Sequence, residues 1–271
     1  MKKWFLYGWS WLCGILVLTI IFFIFSYVIW QGGSVITLNF LLTSPKGLPL
    51  GTEGGIFPAI AGTVLVGMGA SLAAFVFSLS LASYLSFYST SKILYELNTF
   101  LIQCASGIPS VLIGLFGYSF FLMALGIPRS LLSAGLTLSL MMIPFITLRM
   151  EKIFRDFPKE ILVASQALGV SSAYMIIHLI LPARRSEIAS TVALAAAYAM
   201  GATAPIMYTG AVLYSRSVPG LFDPFMALPF HLYILVSQGY APDMAYGTAF
   251  VLMVLLLIIN LGCHFLKQRR H

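Results

Sequence analysis

Asp156 to Pro182 reads DFPKEILVASQALGVSSAYMIIHLILP, and it is the one sizeable internal block of this chain that looks soluble, set between two long apolar runs. Asp156 is expected to cap a helix that starts at about Phe157, with Pro158 in the first turn, where its missing N–H leaves nothing unpaired. Ile161, Leu162, Ser165 and Leu168 fall three or four apart and share a face of that helix. Gly169 can take the left-handed conformation that stops it, and Ser171 or Ser172 caps a second helix, which Leu181-Pro182 ends. The spacing therefore predicts a compact helix, glycine turn and helix that faces away from lipid.

What surrounds the block sets the class. Hydrophobic residues make up 60% of the chain and charged ones 8%, with a mean hydropathy of +0.97. A soluble globule typically carries about 25% charged residues. The reading is an all-α integral membrane protein. Cys13, Cys104 and Cys263 lie in or beside apolar runs without metal-like spacing and read as small buried hydrophobes, so no metal site is expected. The net charge of +7 is scattered between apolar segments; it sets orientation in a bilayer and does not form a nucleic-acid patch.

Six spans are expected. Trp9 to Trp30 is uncharged, bounded by tryptophan at both ends, and long enough to cross about 30 Å of hydrocarbon; it reads as an uncleaved first span, too long for a signal peptide. Gly32 to Gly55 then reads as an irregular external segment, rich in glycine and proline. The second span begins at Pro58, with Gly62, Gly67, Gly69 and Ala70 available for close helix approach. The third runs from about Leu97 to Leu125 and is interrupted at Gly107 to Ser110, where Pro109 makes either a packed kink or a break that lines a cavity. The fourth ends near Arg149, the fifth spans Ile188 to Ser215, and the sixth runs from about Tyr246 to Leu266. Phe225 to Tyr240 is too short for another and carries Pro229, His231 and Gln238, which suits an interfacial or re-entrant segment.

With six spans and both termini inside, Lys2, Lys3, Lys92, Arg149, Lys152, Arg155, Lys159, Arg184, Arg185, Lys267, Arg269 and Arg270 fall on the cytoplasmic side. That leaves Lys46, Arg129 and Arg216 outside, so twelve of fifteen basic residues share the cytoplasmic side, and the positive-inside bias supports this count and places the block in the cytoplasm. The acidic residues Glu53, Glu96, Glu151, Asp156, Glu160, Glu187, Asp223 and Asp243 all fall in loops or at span ends. An ion-coupled transporter usually has an ionisable group or an unwound helix at the midplane, and a membrane hydrolase a positioned nucleophile and base or a metal cluster. Neither set is present. The sequence also lacks G-x-x-x-x-G-K-[ST], so a transporter built on it needs its ATP site in a partner.

The spacing of the block resembles the cytoplasmic loop of ABC importer permeases, an EAA motif, three residues, Gly, nine residues, then I-x-L-P. Ala164, Ser165, Ala167, Leu168 and Gly169 match its first half, and Leu179, Leu181 and Pro182 its second, with Glu160 at the start; Val163 stands where the family has Glu. The resemblance implies a type I importer fold and a loop, here 150–187, that docks on the ATPase. Within that family the detailed likeness is to phosphate permease subunits of the PstA type. It is carried by GGIFPAIAGT from Gly54, IPSVLIGLFGY from Ile108, Thr203 to Pro205, and MALPFHLYILVSQG from Met226.

The domains implied are an N-terminal span with its external segment, 1–53, and a permease domain, 54–271. Implied partners are a second permease of the PstC type, an ABC ATPase dimer that binds the ATP and Mg, an external phosphate-binding protein and the lipid bilayer, with no nucleic acid and no cofactor in this chain. The implied location is a bacterial inner membrane. The family usually reads R-A-x-G-E-T-A-P where this chain has Tyr198 and Ala202 in place of the Arg and Glu. Losing both charges together strands neither, but it keeps sulfate or molybdate open as cargo. Pro109, Ser110, Tyr198, Ala202, Thr203 and Pro205 are the candidate substrate path. A sensing or scaffolding membrane subunit that transports nothing is the alternative of a different class, and a membrane enzyme is disfavoured by the absent catalytic set.

Overall fold

The computed structural model describes residues 2–47, 52–215 and 217–268, and side chains from Leu6 to Phe265 within them. Of the basic residues used for orientation, Arg216, Arg269 and Arg270 lie outside the described residues, and Lys2, Lys3 and Lys267 outside the described side chains. The elements in order are α1 (Lys2–Gly32), α2 (Leu38–Leu42), β1 (Pro45–Lys46), β2 (Glu53–Gly54), α3 (Phe57–Ser83), α4 (Lys92–Ser106), α5 (Ser110–Gly117), α6 (Leu131–Arg155), α7 (Lys159–Ala167), α8 (Ser172–Tyr174), α9 (Leu181–Ala183), α10 (Arg185–Met200), α11 (Ala204–Thr209), α12 (Leu228–Gln238) and α13 (Pro242–Gln268). π-helical turns prolong α3 over Tyr84–Tyr88 and α5 over Tyr118–Ala124, and join α8 to α9 over Met175–Ile180.

The centre of the bundle is α3 against α6, the most extensively packed pair. On α6 the residues Ala134, Leu138, Met142, Ile146 and Met150 repeat every fourth position and are all fully buried. On α3 the matching stripe is small: Val66, Ala70, Ala74, Ser78 and Ala82. Large residues on one helix and small ones on the other let the i±4 ridges interlock at short range, which is how helices associate in lipid, where there is no water to exclude. Two serines fasten the seam from opposite sides. The Ser78 hydroxyl donates to the Ile143 carbonyl at 3.1 Å, and the Ser139 hydroxyl to the Ala70 carbonyl at 3.0 Å.

Among the described residues four helices are long and apolar enough to cross a membrane, over Leu6–Val35, Phe57–Tyr88, Leu131–Arg155 and Pro242–Phe265. The pair Lys92–Ser106 and Ser110–Ala124, bent by 96°, makes up to five. The expected fifth span is corrected: Ile188 to Ser215 is divided into α10 and α11 by Gly201 to Thr203, ends as helix at Thr209, and reaches span length in neither piece. Pro58 does start α3, in its first turn. Gly62 and Gly67 sit under the Met226 carbonyl and the Met200 side chain, so close that a Cβ would fall at 2.0 and 2.4 Å, but Gly69 faces open space and has no such role.

The segment after α1 is more ordered than its composition suggests. It forms α2, capped by the Thr37 hydroxyl, and a β1–β2 hairpin pairing Pro45 with Gly54 and Lys46 with Glu53. The α1 helix itself packs on α13, with Tyr27 and Tyr246 in edge-to-face contact and hydroxyls 3.3 Å apart. Phe225 to Tyr240 holds α12, whose Leu228 N–H is taken by the buried Thr63 hydroxyl of α3 at 2.8 Å. Cys263 is buried as expected, but Cys13 and Cys104 are exposed on the outside of the chain.

Candidate functional site

The Asp156 to Pro182 block projects from one end of the bundle. Gly169 has φ +76°, a conformation that L side chains rarely adopt; the Val170 N–H turns back to the Ser165 carbonyl at 3.1 Å, closing α7 as a Schellman-type stop. The Ser171 hydroxyl accepts from the Tyr174 N–H at 3.3 Å and caps the second helix. One expected boundary is corrected and one holds. Asp156 caps no new helix: it closes α6, its N–H bonded to the Lys152 carbonyl, because the buried Ile153 and Phe154 carry the core face of α6 past the expected end. Pro182 stands where it was expected, at the end of the second helix, which runs without a break over Ser172–Ala183, and the chain turns at Arg184 into α10.

Arg184 closes the block on itself. Its guanidinium donates to the Asp156 carbonyl at 2.9 Å and to Glu187 at 2.6 Å, and lies 6.0 Å from the centre of the buried Phe157 ring. One side chain thereby joins the end of α6 to the start of α10. Of the residues expected on one face of α7, Ser165 is buried and Leu162 partly so, while Ile161 is exposed and Leu168, at the C-cap, is 82% exposed. Val163, Leu168, Tyr174 and Ile177 leave an exposed apolar edge on the block, beside the exposed Glu160, Ala164 and Ala167. Leu179 and Leu181 are partly buried, and Pro182 is exposed.

Behind the block a cavity of about 950 Å³ opens between α4, α5, α6 and α10, lined among others by Ser106, Pro109, Ser110, Arg149, Lys152 and Tyr198. Its wall follows α6 from Met141 to Lys152, about 16 Å at 1.5 Å per residue. Of the six residues predicted for the path, the structure gathers Pro109, Ser110 and Tyr198 here. Pro109 is the N-cap of α5 with extended backbone, and with Gly107 it turns the chain through the 96° bend.

Ala202, Thr203 and Pro205 do not line the cavity. Pro205 is buried against α5, where Gly114 leaves room: a Cβ there would fall 2.9 Å from the Ala204 carbonyl. Tyr198 and Ala202 do not share a helical face, because α10 stops at Met200 and Ala202 lies beyond its end, against the core. Arg149 and Lys152, read from sequence only as orientation markers, are the charged members of the lining. Glu151 between them turns elsewhere: it is 5% exposed, accepts from the Tyr95 hydroxyl and pairs with Arg155, tying α4 to the end of α6.

A bundle of membrane-length helices with a structured block at one end has solved counterparts among ABC importers. A bacterial alginate ABC transporter in complex with an alginate-bound periplasmic protein contains a chain that superposes with a TM-score of 0.67 at 15% identity, over 99% of this chain and 95% of that one. A chain of the MetNI methionine ABC transporter in an inward facing conformation gives 0.61 at 17% identity, over 79% and 93%. The chain belongs to the family of binding-protein-dependent transport system inner membrane components, whose model matches residues 75–269. It is similar to the phosphate transport system permease protein PstA of Mycobacterium leprae, 31% identical over 82% of this chain and 75% of that one. It is also similar to the probable ABC transporter permease protein YqgI of Bacillus subtilis, 24% identical over 94% and 91%.

Proposed function

We propose that this chain is the transmembrane permease subunit of an ATP-driven importer of inorganic phosphate, multi-pass in a bacterial inner membrane with both termini cytoplasmic. The observation that carries the reading is the helix–glycine turn–helix block held closed by Arg184. A rigid block with an exposed apolar edge at the end of a membrane bundle calls for a protein partner at that edge. Because α6 enters the block and α10 leaves it, a push on the block moves both helices, and with them two walls of the cavity.

The ATP and Mg are bound by the partner ATPase dimer and the chain hydrolyses nothing itself. A second permease of the PstC type, an external phosphate-binding protein and the surrounding lipid complete the assembly. Six crossings result when α4 with α5 and α10 with α11 each count as one broken crossing. Lys92, Arg149, Lys152, Arg155, Lys159, Arg184 and Arg185 gather at the end with the block, which supports that end being cytoplasmic. The names of the relatives at 28–31% identity support phosphate as cargo.

The test uses the full complex in proteoliposomes with the binding protein outside and ATP inside. ATP hydrolysis is expected to rise with phosphate-loaded binding protein and phosphate to accumulate, with sulfate and molybdate inert. A thiol introduced by Ala167→Cys is expected to cross-link to the ATPase. Hydrolysis that follows sulfate or molybdate instead replaces the cargo, and hydrolysis indifferent to any cargo favours a sensing or scaffolding subunit.

A further inference from the structure

Arg149 and Lys152 are three residues apart on α6 and face the same cavity. Of the other basic groups at this end, Arg155 is paired with Glu151, and Arg184 with Glu187. Among the described residues neither Arg149 nor Lys152 has a carboxylate within ion-pair distance; Arg149 rests 5.3 Å from the centre of the Phe145 ring, which leaves its N–H edge available. Among the described residues no carboxylate lines the cavity. The hydroxyls differ among themselves. Ser106 donates to the Gln103 carbonyl at 2.7 Å and is occupied, whereas Ser110 and Tyr198 have no protein partner among the described residues.

Two cations without an ion-pair partner on α6 and two hydroxyls without a protein partner, on α5 and α10, line one cavity as a set of donors without an acceptor. A guanidinium presents paired N–H groups to a phosphate edge, an ammonium adds a point charge, and hydroxyls take the remaining oxygens. We propose that this cavity is a binding site for a phosphate oxyanion, with Arg149 and Lys152 supplying the charge and Ser110 and Tyr198 the neutral hydrogen bonds. Its place as the release end of the cargo path rests on the permease reading; the binding chemistry does not. Two sources carry this group, free inorganic phosphate and the headgroup of an anionic lipid entering from the bilayer.

The experiment reports charge and occupancy together. In the full complex carrying Cys104→Ser, which removes the exposed thiol beside the cavity, Ser106→Cys supplies a reporter that is not one of the proposed donors. With each rate taken relative to that reagent's rate with a free thiol in solution, an anionic methanethiosulfonate is expected to modify it roughly fivefold or more faster than a cationic one, and Lys152→Gln or Arg149→Gln is expected to lower that ratio. In nanodiscs of phosphatidylcholine alone, inorganic phosphate is expected to slow the reaction while chloride at equal ionic strength does not, which identifies free phosphate as the ligand. Slowing only when phosphatidylglycerol is added identifies the lipid headgroup and sustains the site. Equal rates for both reagents, unchanged in Lys152→Gln and unprotected in either lipid, overturn it. Uptake measured on the same wild-type complex separates the two readings: protection without uptake sustains the site and removes the transport role, whereas uptake without protection does the reverse.

Discussion

Two helical segments of this chain are interrupted after a glycine, and the breaks have opposite fates. Gly107-Ile108-Pro109 bends α4 away from α5 by 96° and leaves its inner side open as a cavity. Gly201-Ala202-Thr203 separates α10 from α11, and that break is filled on its α11 side: Gly114 and Gly117 of α5 let α11 and the Thr137 side chain of α6 close in, and Pro205 and Ile206 are buried, while Ala202 and Thr203 are half-buried and Gly201 stays exposed. A break in a membrane helix frees backbone groups that must be satisfied by protein or by water. Here one break is satisfied by packing and the other faces a cavity walled by cations. The glycines that admit α11 at the second break, Gly114 and Gly117, lie outside the broken segment itself.

The contrast is sharpest at Tyr198 and Ala202. Ala202→Glu places a carboxylate in the filled break, against the core, and is expected to cost about 2.5 kcal/mol or more, read as lost expression and a lower melting temperature of the complex. Tyr198→Arg adds a cation to an open wall and is expected to express like the wild type, while altering phosphate uptake. Because the two positions do not face each other, the double variant is expected to be as unstable as Ala202→Glu alone. Recovery in the double variant would show that they pair after all.

Gly114→Leu attacks the packing that fills the second break. The added side chain meets the Ala204 carbonyl and Pro205, and overpacking of this kind typically costs about 1–3 kcal/mol. The expected readout is a new thiol-accessible site at Thr203→Cys, as α11 is pushed off α5. An unchanged melting temperature and a still-protected thiol would mean that the break is not held shut by this contact.

Arg184→Ala has the smallest expected effect on stability, about 1 kcal/mol for one charge-assisted set of exposed hydrogen bonds. Its effect on coupling is expected to be larger than on folding, since it releases the Asp156 carbonyl and frees the end of α6 from the start of α10. ATP turnover with little phosphate uptake is the expected signature, and Arg184→Lys is expected to restore uptake only in part, because an ammonium cannot span both partners as a guanidinium does.

The block was legible because its signals are local. A glycine that needs positive φ, a serine one turn before a free N–H, and a proline that starts α3 each act within four residues of where they are read. Boundaries failed where a longer-range term won. Core burial of Ile153 and Phe154 carried α6 through to the residue read as a cap, whereas Pro182, a local signal, did mark the end of its helix. The cavity was half legible. Pro109 announced a break, but its meeting with Arg149 and Tyr198, forty and eighty-nine residues further on, depends on how α5, α6 and α10 pack. The six-residue path was read as one site, and the structure divides it between an open break and a filled one.

Coupling through the block is tested most directly by Gly169→Val in the reconstituted complex, with ATP hydrolysis and phosphate uptake measured on the same vesicles. Valine at φ +76° is strained by roughly 1–2 kcal/mol, enough to displace the turn between the two halves of the block while the membrane helices stay folded. Basal hydrolysis that persists with uptake lost, in a complex that still assembles, is the predicted result. Wild-type uptake per ATP hydrolysed would contradict it.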